Sequence, residues 1–208
     1  MAIAVGIDVG GPSKGFHAVA LDGDRVLKVH ALEAIKIAEW CSSVGARAIA
    51  IDAPAGWRTG PGLRLAEREL QERGLHFFAT PSREKSSSPF YTWMHNGFAL
   101  YEALAQCFPR ITRDSTTISS PVCFETFPHA IAHALFEGRV PAGSKVRVRR
   151  KLLADCGLRV GELSNVDLVD AGLCAYTARR FLMNRGGDVQ FLGDRDGGFL
   201  VIPSPTGK

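Results

Sequence analysis

The stretch AIAVGIDVGGPSKGF, residues 2–16, combines an apolar strand with an acid at its end and a glycine-rich turn behind it. Its first six residues form a continuous apolar run, which is typical of a central strand covered on both faces of a sheet. Asp8 ends this run, and three glycines, a proline and Lys14 then break the strand. A carboxylate at the tip of a buried strand is costly to desolvate, so we expect a specific use for Asp8.

The rest of the chain alternates strand and helix patterns. The segment GFHAVALDGDRVLKVHAL predicts two strands joined by a hairpin turn at LDGDR, so three antiparallel strands come first. The helix ALEAIKIAEWCSSVG, with Leu32, Ile35 and Trp40 at helical intervals, precedes a second apolar strand, ARAIAIDAPAG, which ends in Asp52. A third buried strand (PVCFETF), three helices (HAIAHALFEG, KVRVRRKLLADCG and NVDLVDAGLCAYTARRFL) and a hairpin (VQFLGDRDGGFLVIP) follow. This order predicts an α/β fold with a mixed central sheet, antiparallel strands followed by parallel ones, flanked by helices.

The chain of 208 residues predicts a single domain over 1–208 with a helical and loop insertion at about 56–110. The insertion holds a charged helix, LRLAERELQERG, a loop rich in serine and proline, and a helix near GFALYEALAQCF. Neither an internal repeat nor a change of composition indicates a second domain.

Composition limits the possible classes of protein. Hydrophobic residues make up 46% of the chain, which is enough for a sizeable core, and no apolar run approaches the ~20 residues of a membrane span. Without a basic leader, a cytoplasmic location is expected. The five cysteines are widely spaced and predict reduced core thiols rather than disulfides or a zinc site. A net charge of +4 permits a polyanionic partner without requiring one.

Acids recur at positions that the predicted sheet can bring together. Asp8 and Asp52 end two central strands, Glu125 lies in the third, and Asp167 and Asp170 share one face of the long helix. If the first and fourth strands are neighbours, Asp8 and Asp52 meet, and a helix alongside can add Asp170. Such a cluster needs a counterion, and Mg²⁺ or Mn²⁺ is the natural one; two such ions can promote hydrolysis of a phosphodiester.

Each acid also has a simpler structural interpretation. Asp52 can cap the turn after its strand, Asp167 can stabilise the helix dipole, and Glu125 can pair with an arginine. The arrangement of all of them, rather than any one acid, favours a functional site.

Several motifs resemble known proteins. The order of elements resembles the RNase H-like fold, and GIDVGGPSKGFHAVAL with DLVDAGLCAYTA is similar to the first and last motifs of RuvC-type junction resolvases. The pieces GIDVGG…KGF, IDAPAGW, RLAERELQERG, FATPSR, FETFPHA, VDLVDAGLCAYTA and GDRDGGFLVIP, spread over nearly the whole chain, resemble a domain-of-unknown-function family of predicted RNase H-like nucleases.

This resemblance implies a metal-dependent nuclease that acts on DNA or RNA with Mg²⁺ or Mn²⁺. It implies Asp8, Asp52 and Asp170 as catalytic metal ligands, Asp167 as a second metal-binding acid of the late helix, and Glu125 as a further catalytic acid. Glu125 departs from the resolvase pattern, which takes its carboxylates from the first strand, the fourth strand and the last helix.

Basic residues near these motifs are candidates for substrate binding. Lys14 lies beside Asp8 in the glycine turn, where an amine can meet a phosphate, and His129 begins a helix, where it can bond a phosphate or cap the helix. Arg64, Arg68 and Arg83 can line a cleft, although LRLAERELQERG also fits an exposed helix with internal ion pairs. The run KVRVRRK, which includes Arg149 and Arg150, fits a phosphate track or a solvated helix face.

Two other functions remain open from the sequence. GIDVGGPSKG also resembles the first phosphate-binding loop of the actin, sugar-kinase and Hsp70 superfamily, which transfers phosphoryl groups from ATP, but the late glycine-rich adenosine loop of that superfamily has no counterpart here. A catalytically silent binding module with the same fold is the third interpretation. Stabilisation by Mg-ATP would favour the first of these and stabilisation by Mn²⁺ or Mg²⁺ alone a nuclease, whereas a silent module responds to neither.

Overall fold

The computed structural model describes residues 2–85, 87–111, 119–183 and 187–205. The strands are β1 (Ile3–Val9), β2 (Phe16–Asp22), β3 (Arg25–Ala31), β4 (Ala46–Asp52), β5 (Val122–Glu125), β6 (Val189–Asp194) and β7 (Gly198–Pro203). The α-helices are α1 (Ala34–Ser43), α2 (Leu65–Glu72), α3 (Thr92–Leu104), α4 (Pro128–Leu135), α5 (Lys145–Asp155) and α6 (Val166–Met183). Short 3-10 turns lie at Arg83–Lys85, Pro89–Tyr91 and Val160–Glu162.

The strands form one mixed sheet in the order β3-β2-β1-β4-β5-β7-β6. The first three strands pair antiparallel, whereas β4 is parallel to β1, β5 to β4 and β7 to β5. The closing hairpin pairs β6 antiparallel with β7. This strand order with these directions is that of the RNase H-like fold, so the predicted fold class is confirmed.

Helix α6 lies against the centre of the sheet, over β1, β4 and β2. Side chains alternate between the two faces of a strand, so Gly6 and Asp8 of β1 face α6, whereas Val5 and Ile7 face the other side. A Cβ atom at Gly6 would overlap the backbone of Ala171 and Ala175 in α6. The missing side chain therefore lets α6 approach β1 closely, at the point where β1 carries Asp8.

The two helices between β4 and β5 pack against different parts of the structure. Helix α3 lies on α1, and its Gly97 comes so close to Ala53 that a Cβ would lie 2.6 Å from the alanine side chain. Asn96 donates from Nδ2 to the carbonyl oxygen of Gly10 at 2.8 Å, which connects α3 to the turn behind Asp8. Helix α2 instead packs on β6 and β7.

The apolar face of α1 differs from the prediction. Leu32 and Ile35 are 58% and 49% exposed, and the helix buries Ile37, Ala38 and Cys41 instead. The helix begins only at Ala34, so Leu32 precedes it and the helical spacing counted from Leu32 does not describe the buried face.

The cysteines are unpaired, as predicted, but they do not all lie in the core. Cys41, Cys123 and Cys174 are buried, Cys156 is half-buried and Cys107 is exposed near the end of α3. In the described part of the chain, no helix has both the length and the apolar character that crossing a bilayer requires.

Candidate metal centre

Asp8 and Asp52 face each other at the ends of neighbouring strands. The parallel pair β1–β4 places them in direct register, as the last of a series of paired residues that begins at Ile3 and Ala46. Cross-strand partners point to the same face of a sheet, so both side chains face α6. Asp8 is buried and Asp52 is half-buried.

Helix α6 brings two more aspartates to these strand ends. Asn165 accepts a hydrogen bond at Oδ1 from the backbone N–H of Leu168 at 2.8 Å, and this side-chain cap fixes where the helix begins. Asp167 therefore lies in the first turn, half-buried, and Asp170 follows one turn later, only 4% exposed. The negative charges of both acids raise the pKa of Asp8, and that of Asp170 also raises the pKa of Asp52.

The crowded carboxylates resist ionisation. Burial raises the pKa of Asp8 to about 6; Lys14 opposes this rise, and the neighbouring Asp170 and Asp167 add to it. Burial also raises the pKa of Asp52 well above its ordinary value, and the charges of Asp8 and Asp170 act in the same direction. Ionising all of these acids at neutral pH therefore costs free energy unless cations neutralise them.

Three basic side chains provide part of that neutralisation. Lys14 Nζ lies 2.6 Å from Asp167 Oδ1 and 3.5 Å from Asp8 Oδ2. Lys145 Nζ lies 2.9 Å from Asp170 Oδ2, and Arg149 donates from Nη1 to Asp170 Oδ1. Both lysine side chains are about half exposed, so their ammonium groups can move into solvent when another cation arrives.

The donor set fits a divalent cation with a preference for oxygen. Oδ2 of Asp8 is buried, and Lys14 Nζ lies 3.5 Å from it, which is too long for a good hydrogen bond. Asp8, Asp52, Asp167 and Asp170 offer carboxylate oxygens from two strands and one helix. Among the described residues, those of Asp8 and Asp167 lie within 4.8 Å of each other, whereas Asp52 and Asp170 belong to no group of three ligands at that spacing. Mg²⁺ and Mn²⁺ are the ions that such oxygens hold in proteins.

Glu125 is paired with an arginine and is not directed at the aspartates, although it lines a small cavity of about 70 Å³ together with Asp52. Glu125 pairs in register with Ile51, so it faces the side of the sheet opposite to Asp52. There it accepts two hydrogen bonds from the buried Arg64, at 2.8 Å from Nη1 and 2.7 Å from Nη2, and Arg64 Nε also contacts Glu67 at 3.2 Å. Pairing with an arginine, the simpler interpretation of Glu125, is the contact that the structure contains, and Arg64 is occupied by it.

Two arginines in the basic run of α5 are held by contacts within the protein. Arg149 is only 5% exposed and binds Asp170, while Arg150 donates from Nη2 to the carbonyl oxygen of Leu163. Positions 145 and 149 are one turn apart, so the helix turns both toward Asp170. Arg147 and Lys151 remain exposed, and Lys151 pairs with Asp155 at 2.7 Å. The structure therefore differs from the expected track at Arg149 and Arg150.

A cavity of about 470 Å³ opens beside the aspartates. Its lining includes Asp52, Asp170, Lys145, Arg149, His129 and His76. His129, at the start of α4, is half-buried, and burial lowers its pKa, as do the positive charges of Arg149 and its other basic neighbours. The predicted binding residue His129 thus shares one cavity with the acids.

The other two arginines predicted from the insertion, Arg68 and Arg83, lie elsewhere. Arg68 is exposed on α2 and lines a smaller cavity of about 200 Å³ with Arg58 and Asp194, and Arg83 is exposed in a 3-10 turn. Neither lines the cavity beside the aspartates.

Two histidines near the aspartates were missed by the sequence analysis. His76 lines the cavity, and His17 of β2 is the cross-strand partner of Asp8. The hairpin register of β1 and β2 is the signal that would have found His17, because it decides which β2 side chains share a face with Asp8.

Comparison with known proteins identifies a family but not an activity. The structure of RuvC from Thermus thermophilus is similar over 88% of this chain and 96% of that chain, with 16% sequence identity and a TM-score of 0.44. A likeness of this size says nothing about the chemistry of the present chain, and its fold assignment rests on the strand order. No curated protein matches the sequence. The family model described as "Protein of unknown function (DUF429)" matches residues 6–196, nearly the whole chain, and the protein belongs to this family.

Proposed function

We propose that this protein is a metal-dependent nuclease that hydrolyses phosphodiester bonds of DNA or RNA with Mg²⁺ or Mn²⁺. One observation carries the proposal: aspartates of β1, β4 and α6 lie near one another, and two of them, Asp52 and Asp170, line an open cavity together with basic and apolar side chains. Metal-dependent phosphoryl chemistry uses carboxylates that bind a cation and basic side chains that bind the phosphate, and side chains of both kinds line this cavity.

Asp8, Asp52 and Asp170 are the residues that would hold the metal, together with Asp167, which offers a carboxylate oxygen within 4.8 Å of one of Asp8. A divalent ion bound there would activate a water for attack on phosphorus and stabilise the departing oxygen. The unpartnered Oδ2 of Asp8 and the raised pKa values of Asp8 and Asp52 support this role, because a metal would relieve the repulsion among the acids.

The basic residues of the cavity would position the substrate. Arg149 is fixed by Asp170, so its guanidinium keeps one direction, whereas Lys145 is free to leave Asp170 and follow a phosphate. His129, whose lowered pKa favours the neutral imidazole, can donate one ring N–H to a phosphate oxygen. These three side chains would hold a phosphodiester against the aspartates without any contact to a base.

A cleavage assay with matched variants tests the proposal. Labelled single-stranded, duplex and branched DNA and RNA would be incubated with the protein and Mg²⁺ or Mn²⁺, and the products separated by gel electrophoresis. We expect cleavage that EDTA abolishes and that Asp52→Asn reduces at least a hundredfold, since it removes a proposed metal ligand.

Asp194→Asn is the matched control for this assay. Asp194 also ends a strand, but its Oδ1 accepts a hydrogen bond from the backbone N–H of Gly197 at 2.6 Å and only caps a turn. It should therefore cleave like the wild type. Equal cleavage by wild type and Asp52→Asn, or cleavage that survives EDTA, would refute the proposal.

A further inference from the structure

His17 lies on the opposite side of Asp8 from Asp52. It is the residue of β2 paired with Asp8, whereas Asp52 is the residue of β4 paired with Asp8, and β1 runs between those two strands. Asp8, His17 and Asp167 each offer one ligand atom, and these three atoms lie within 4.8 Å of one another. This group shares Asp8 and Asp167 with the carboxylates described above, but it lies on the other side of Asp8 from Asp52 and contains a nitrogen donor.

Two polar atoms of these side chains are buried and lack a hydrogen-bond partner. Nδ1 of His17 and Oδ2 of Asp8 are inaccessible to solvent and form no hydrogen bond with the described residues. The side chain of Asp8 is only 9% exposed, and Nδ1 of His17 approaches Asp167 Oδ2 no closer than 4.0 Å. Buried polar atoms without partners cost free energy, so their convergence points to a ligand that satisfies both.

A cation already lies beside this group. The ammonium of Lys14 is 2.6 Å from Asp167 Oδ1 and 3.5 Å from Asp8 Oδ2, at the end of a side chain that is 45% exposed. The ammonium thus neutralises the two acids, but it lies 3.5 Å from Asp8 Oδ2, and Nδ1 of His17 forms no hydrogen bond with the described residues. Because the side chain reaches in from solvent, it can withdraw when a metal binds.

We propose that Asp8, His17 and Asp167 form a second metal site, with one imidazole nitrogen and two carboxylate oxygens, that accepts Mn²⁺ and discriminates against Mg²⁺. Mg²⁺ is held by oxygen ligands, whereas first-row transition ions also accept imidazole nitrogen. The ring of His30 lies beside that of His17, with centroids 4.5 Å apart and the planes tilted by 31°. The inference rests on the proposed function in one respect, namely that Asp8 is a metal ligand.

Pulsed electron paramagnetic resonance of the protein with added Mn²⁺ tests the nitrogen ligand directly. Electron spin echo envelope modulation should show ¹⁴N coupling in the wild type, because an imidazole nitrogen bound to Mn²⁺ modulates the echo. His17→Gln should remove this coupling. His30→Gln is the matched control: His30 is the adjacent histidine, its Nε2 bonds to the carbonyl oxygen of Lys14, and the coupling should persist. A wild-type spectrum without ¹⁴N coupling overturns the inference, whether or not the variants fold.

Calorimetric titration with each metal tests the discrimination. Loss of the nitrogen ligand should weaken Mn²⁺ binding about tenfold or more and leave Mg²⁺ binding unchanged. Equal Mn²⁺ affinity in wild type and His17→Gln would overturn the inference. Cleavage of nucleic acid in Mg²⁺ without any ¹⁴N coupling in Mn²⁺ would also overturn it while leaving the proposed function intact. Coupling that depends on His17 in a protein that cleaves nothing would support the site and refute the nuclease.

Discussion

Replacing Asp8 with Asn should stabilise the metal-free protein at neutral pH. The folded protein holds the pKa of Asp8 at about 6, against an ordinary value of 3.8. At about 1.4 kcal/mol per pKa unit, ionised Asp8 lowers the free energy of unfolding by about 3 kcal/mol. This cost is absent well below pH 4, where both states are protonated. It grows between the unfolded pKa of 3.8 and the folded pKa of about 6, because only the folded state keeps its proton there, and it is constant at higher pH.

Thermal unfolding in EDTA measures the cost of the charged Asp8 carboxylate, and thermal unfolding in Mn²⁺ measures the stabilisation by the metal. In EDTA at pH 8, Asp8→Asn should melt roughly 6–12 °C above the wild type, since each kcal/mol shifts the melting temperature of a protein of this size by about 2–4 °C. The difference should shrink toward zero near pH 4. Mn²⁺ at a hundred times its dissociation constant should stabilise the wild type by about 2.7 kcal/mol and Asp8→Asn by much less.

A strand-end aspartate with an ordinary capping role behaves in the opposite way. Asp194→Asn weakens the bond to Gly197 N and should be neutral or slightly destabilising at every pH, with the full Mn²⁺ effect retained. If Asp8→Asn were less stable than the wild type in EDTA at pH 8, or gained as much stability from Mn²⁺, the argument from crowded carboxylates would be refuted.

Three further substitutions test the surroundings of the site. Glu125→Gln should lower the free energy of unfolding by about 3 kcal/mol in urea titrations, because it weakens the pairing of the buried Arg64, and should leave Mn²⁺ affinity unchanged because it lies on the other face. Arg147→Gln should reduce the slope of log affinity against log salt for duplex DNA by roughly 0.9, as binding titrations would show; an unchanged slope would mean that this exposed side chain contacts no phosphate. Gly6→Ala should cost about 1–3 kcal/mol or more and abolish the Mn²⁺ shift in melting experiments, because its Cβ would push α6 off the sheet, whereas Gly56→Ala, with open space around it, should not.

Local patterns in the sequence were sufficient for the elements and for the two central acids. Apolar runs that stop at Asp8 and Asp52 predict buried strands with acids at their ends, and the hairpin between β2 and β3 fixes the antiparallel order at the start. The sequence placed Asp8 beside Asp52 on the condition that the first and fourth strands are neighbours, and the sheet contains this pairing. These properties depend on a few consecutive residues and on the short connections between neighbouring strands, which is why they can be predicted from one sequence.

Which face a side chain occupies was decided only by the tertiary structure. Glu125 and Asp52 end adjacent parallel strands, yet the pairing of Glu125 with Ile51 puts them on opposite faces, and a shift of one residue would have joined them. The register of β1 and β2 brings His17 to Asp8. The rotation of α5 about its axis directs Arg149 to Asp170 instead of toward solvent. No local pattern encodes these choices, because strand register and helix rotation are set by the packing of distant segments. The sequence determined which acids end the strands, and the packing decided which groups surround them.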